Sequence, residues 1–140
     1  LKELHADELK EIAEARKTES LLLFDNHLYN GSYYLGGYSA ECAIKVLIAL
    51  KMKEFIFPDK NFANAVWTHD LKKLIDKSAI SKIFNNKVEN DPEFSANWSK
   101  VNQWNESSRY EQIPVEKAND LINALYDVNK GIYTWLRNNW

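Results

Sequence analysis

The sequence predicts an all-α fold, an up-and-down bundle of four to five helices, and three observations carry that prediction. Apolar residues recur at helical spacing, most cleanly in the stripe Ala118, Leu121, Ile122, Leu125, Val128, Ile132 and Leu136. No run shows the period of two that a half-buried strand requires. Four glycines and three prolines are too few for the turns of a β fold of this length.

Residues 1–140 read as a single domain, long enough for one real core, with no repeat or low-complexity linker dividing it. The first helix is expected from an N-cap at Asp7 to about Leu28, with Leu9, Ile12, Ala13, Arg16, Leu23 and Leu28 in rough register. Asn30-Gly31 then turns the chain. The second helix, Ser32 to Leu50 and ending near Met52, is apolar or small almost all round, the mark of a helix buried on several sides. It is predicted to be the central and most buried element, with any uncovered side serving self-association. An irregular loop is expected from Phe57-Pro58-Asp59 through Asn64. Thr68-His69-Asp70 then opens a short helix with Leu71, Leu74 and Ile75 inward. Asn85, Asn86 and Asn90 mark a break, and Asp91-Pro92 starts a helix with Phe94, Trp98, Val101 and Trp104 on one face. Asn105 to Gln112 reads as a polar loop, and Pro114 opens one long final helix.

Composition narrows the function. A formal net charge of -2, with basic residues dispersed, lacks the footprint of strong duplex binding. The lone Cys42 excludes a disulfide framework and a cysteine zinc site, and with the charged opening predicts a cytoplasmic setting. His5, His27 and His69 have no further ligands at metal spacing, so no metal or cofactor is expected. No P-loop, dinucleotide fingerprint or nucleophile elbow occurs; Gly36-Gly37 reads instead as a point of close helix approach. A membrane span is disfavoured because Glu41 and Lys45 interrupt the one long apolar run.

Those two charges are the chain's most informative pair. At i and i+4 they stack on one stripe of a helix that is otherwise buried, so they pair, meet neighbours or line a cavity. Three more polar residues stand out. His69 suits a general base or, with Asp70, a helix-capping element. Arg109 and Tyr110 suit a phosphate fork, or a clamp from the loop onto Glu41. Trp98 and Trp104 read as core, while Trp67 and Trp140 are freer for contacts.

The segments YYLGGYSAECAIKVLIA, THDLKKLID and ANWSKVNQWNESSRYE, followed by a long amphipathic helix, resemble the HEPN superfamily (higher eukaryotes and prokaryotes nucleotide-binding) from about Asp7 to Trp140. The resemblance implies a dimeric helical bundle that serves prokaryotic defence, toxin–antitoxin or stress systems, often beside a minimal nucleotidyltransferase. It also marks Glu41, Lys45, His69, Arg109 and Tyr110 as candidate positions for a nucleotide or RNA ligand. Many HEPN proteins are metal-independent RNases that use an Arg with a His four to six residues later. Here Arg109 is followed by Tyr110, Glu111, Gln112, Ile113, Pro114 and Val115, Arg16 by no His before His27, and Arg137 by none. The expectation is therefore a non-catalytic binding or partner module. The alternatives are an RNase whose site is assembled in space from His69 and Arg109, and a purely structural subunit.

Overall fold

A computed structural model describes residues 4–52 and 59–140; the expected loop at Phe57-Pro58 lies outside them. The described residues form an all-helical bundle with no strand. Two long helices, α1 (Ala6–Asp25) and α2 (Tyr29–Lys51), lie against each other; of the shorter α3 (Lys60–Ala65), α4 (Leu71–Lys77), α5 (Ser81–Asn90), α6 (Pro92–Val101), α7 (Val115–Tyr126) and α8 (Ile132–Asn138), α4, α7 and α8 pack on α2, α3 on α4, α5 on α4 and α6, and α6 on α7 and α8. A 3-10 turn, Glu106–Tyr110, joins α6 to α7.

Helix α2 is the centre, as its composition predicts. It packs on α1, α4, α7, α8 and the 3-10 turn, and Ala40, Ala43, Ile44 and Val46 are wholly buried. Burying such a helix on several sides is the main apolar gain of the fold. Where α1, α2 and α7 cross, Tyr126 Oη lies 3.0 Å from Ser20 Oγ and 2.8 Å from Ser39 Oγ. Both hydroxyls thereby satisfy the phenol in an apolar setting, and burial pushes its pKa up to about 12.

Several local expectations are corrected. Helix α1 begins after His5, whose backbone N–H donates to Glu8, so Asp7 is inside the first turn and not the cap. The turn before α2 falls at Asn26–Leu28 and not at Asn30-Gly31, because His27 itself takes the left-handed conformation at φ 63°. Asn30 instead braces a distant loop, accepting from Ile113 N at 2.7 Å. Asn85 and Asn86 lie inside α5 and do not break it, with Phe84 pointing inward; the expected break falls at Asn90, where that helix ends. Part of the loop expected before Thr68 is helical, with Asp59 capping α3 through Asn61 N. The long final helix is two. Asp127 Oδ2 accepts from the backbone N–H of Asn129 and Lys130, which turns the chain there and leaves Val128 exposed.

Asp91-Pro92 does start α6, and it does more. Asp91 accepts from Phe94 N at 3.1 Å as the N-cap, and its other oxygen receives Lys130 at 2.6 Å and Lys87 at 3.3 Å. The corner between α5 and α6 is thus tied to the turn before α8. The bond from Lys130, then that from Phe94, holds the Asp91 carboxyl down at about 2, against an ordinary 3.8. A depressed carboxyl stabilises the fold fully above its unfolded value, and that stability is lost as pH falls through the folded value. In acid titrations followed by circular dichroism, wild type should therefore exceed Asp91→Asn in stability above pH 4 and converge with it near pH 2. Asparagine keeps the cap, so the difference isolates the charge. Equal stability at pH 6 would show that Lys130 and Lys87 contribute nothing through Asp91.

Candidate functional site

The site grows from two short stretches whose backbones are locked by their own side chains. In Thr68-His69-Asp70, Thr68 Oγ1 accepts from Asp70 N at 3.1 Å, and Asp70 Oδ1 accepts from Lys73 N at 3.1 Å, capping α4. His69 sits between these two local bonds. In the second stretch Asn105 Oδ1 accepts from Ser107 N at 3.0 Å, which starts the 3-10 turn and fixes the position of Glu106.

The first stretch reaches Glu41, a carboxylate in the middle of α2 with only 1% of its surface exposed, and the second is linked to it through His69. Lys45 Nζ donates to Glu41 Oε2 at 3.1 Å, one turn along the same helix. His69 Nδ1 lies 2.8 Å from Glu41 Oε1. Each carboxylate oxygen thus has one cationic or donor partner, which is what keeps a charge tolerable at this depth. The other face of the ring meets a second carboxylate, with His69 Nε2 3.2 Å from Glu106 Oε2. The result is a chain of groups, Lys45–Glu41–His69–Glu106, in which the buried Glu41 lies between the partly exposed Lys45 and the more exposed His69 and Glu106.

Arg109 is not part of that chain. The expected clamp onto Glu41 does not form, because His69 occupies that carboxylate; the Arg109 guanidinium lies 4.9 Å over the ring of Tyr110, itself 81% exposed. Glu41, Lys45 and His69 are therefore brought together, while Arg109 and Tyr110 stand apart on the turn that Glu106 connects to them. Glu106 was missed by sequence reasoning, since nothing in NESSRY distinguishes it from a solvated acid.

Outside this chain of groups lies an open cleft of about 540 Å³, lined by Thr68–Lys73 and Asn102–Glu106. Its size is in the range of small-ligand sites, about 300–1,000 Å³, though its walls are mainly polar. Lys72 is engaged by Asp76 at 2.6 Å, whereas Lys73 forms no ion pair among the described residues. Trp104 lies just past the end of α6 and forms the floor, seated on Gly37 of α2. Among the freer tryptophans, Trp67 is exposed beside the cleft sequence, but Trp140 packs against Tyr133.

No three or more His, Cys, Asp or Glu side chains are placed to hold a metal ion among the described residues. Cys42, next to Glu41, is a buried thiol whose pKa burial pushes up to about 12, which removes it as a nucleophile near neutral pH. None of the described helices is long and apolar enough to cross a membrane. No protein-family model, curated protein or solved structure matches this chain.

Proposed function

We propose that this chain is a HEPN-like, non-catalytic binding module that receives the phosphate of a nucleotide or RNA end in the cleft beside His69. The observation that carries the reading is the polar cleft itself, into which Lys73 brings an ammonium that has no ion-pair partner among the described residues. The His69 ring is held between two carboxylates. It is poorly placed for proton shuttling at a ribose hydroxyl, because both nitrogens already face acids. Self-association and pairing with a minimal nucleotidyltransferase in a defence or toxin–antitoxin system belong to the same proposal through the HEPN resemblance, and cytoplasmic residence belongs to it through the lone cysteine.

One observation favours the runner-up, a metal-independent RNase. Glu106 ties the turn that bears Arg109 to His69, so the two residues share one local framework although the sequence separates them. A paired assay decides. Calorimetric titration with AMP and ATP is expected to show binding that Lys73→Ala weakens about tenfold, the value of one charge-assisted hydrogen bond. Wild type incubated with single-stranded RNA without metal is expected to leave it intact. Cleavage abolished by both His69→Ala and Arg109→Ala would replace the binding module with the RNase. Neither binding nor cleavage would leave a structural subunit.

A further inference from the structure

We propose that His69 is a proton-operated latch between helix α2 and the turn that carries Arg109 and Tyr110, and that on release the Glu106 end lets go while the Glu41 end holds. This rests on the cleft being the binding site, because Glu106 forms part of its wall.

The argument starts from the ring. An imidazole serves two carboxylates as a donor only when both nitrogens carry protons; the neutral ring donates once. Here Nδ1 faces Glu41 and Nε2 faces Glu106. The remaining proton goes where its loss is costlier. Glu41 is 1% exposed, so an oxygen without a donor there has no solvent to turn to, whereas the Glu106 side chain is 53% exposed and water replaces the lost contact. The geometry is already unequal: 2.8 Å with hydrogen-bond alignment at Glu41, 3.2 Å at Glu106. The ring itself is 43% exposed, open to proton exchange with solvent.

Among the described residues the charged groups around the ring are few. From α2 come Glu41 and, through it, Lys45; from the 3-10 turn, Glu106; from the ring's own stretch, Asp70, whose carboxylate caps α4; and along the cleft from α4, Lys72 and Lys73. Among these, histidine is the residue type that ordinarily changes charge between pH 5 and 8. Losing the Nε2 proton puts the lone pair of the ring against the Glu106 carboxylate, which turns an attraction into a repulsion. The turn then keeps its direct packing on α2, its buried Ser108 and the Asn105 cap, and loses only the polar tie to Glu41 through His69.

The test uses the whole chain without nucleotide, so it reads the latch whether or not AMP binds. Proton–nitrogen spectra are collected from pH 5 to 8, with the His69 ring carbon-bound proton followed in parallel. In wild type the amides of Ser107, Ser108, Arg109 and Tyr110 should shift with the midpoint of the ring, while the amides of Glu41 and Lys45 stay in place. In Glu106→Gln the turn amides should no longer follow the ring. The latch is overturned by turn amides that do not track the ring in wild type, or that track it equally in Glu106→Gln. Movement at Glu41 with a still turn would reverse the assigned order of release and overturn it too. A second measurement reads regulation: the AMP dissociation constant at pH 5.5 and pH 8, in wild type and Glu106→Gln. The ligand's own titration is common to both proteins, and the expected result is a ratio that differs between them at least threefold. Equal ratios would remove the regulatory role.

Discussion

Gly37→Ala is expected to lower unfolding stability by about 2 kcal/mol, whereas Gly36→Ala, one residue away on the same helix, should change it by less than about 1 kcal/mol. A methyl group on Gly37 would fall inside the indole of Trp104, on Cδ2, Cε2 and Nε1. A methyl on Gly36 would lie 3.3 Å from Leu125 Cδ1, the end of a side chain that can shift by the few tenths of an ångström required. Alanine gains about 1 kcal/mol over glycine in a helix at either position, so the contrast isolates the clash. Trp104 has little room to retreat. It is buried, its ring lies 6.2 Å from that of Tyr34, and it begins the segment that leads through Asn105 to Glu106. Displacing it should therefore also loosen the cleft and shift the tryptophan emission. Denaturant titrations of both variants, repeated in a Trp104→Ala background, provide the check. If Gly37→Ala costs the same without the indole as with it, the steric account fails.

The fold class was legible because helix formation and burial both write themselves locally. The run from Ser32 to Leu50 announces a central helix through composition alone, and Asp91-Pro92 announces a helix start through cap chemistry. What escaped was decided by side chains acting on the backbone at single turns. The stripe through Val128 continues the helical period, yet the Asp127 carboxylate captures two backbone N–H groups and ends α7, overriding the pattern. His27 in the left-handed region does the work expected of Gly31, a substitution that periodicity does not reveal. Gly36-Gly37 was rightly a point of close approach, but at Gly37 the approaching group is one indole from beyond α6 and not a helix.

At the site, Glu41 and Lys45 were visible because two charges on a buried helix demand partners. That the partner would be His69 and not Arg109 was not visible. Either residue supplies a donor, and the choice depends on where α4 meets α2, a contact made across 28 positions of sequence. Glu106 was beyond reach for the same reason.

The second large effect concerns that buried carboxylate. Lys45→Met should destabilise the protein by about 3 kcal/mol, at the low end of the range for orphaning one member of a buried pair. The methionine keeps the apolar stem, so the loss reports on the charge. The low end applies because the Lys45 side chain is 25% exposed, so water already screens part of the pairing, and because His69 remains to serve one oxygen of Glu41. Glu41→Gln should cost less, about 1–2 kcal/mol, since it removes the buried charge and keeps an oxygen to accept from Lys45 or His69. Placing both changes in one chain should cost less than their sum, because a neutral residue 41 no longer needs the ammonium. Thermal and denaturant unfolding of the two single variants and the double variant supply the cycle. Strict additivity, or a Glu41→Gln protein that unfolds at the wild-type temperature, would show that the Glu41 charge is solvated, and the buried anchor on which His69 depends would be lost with it.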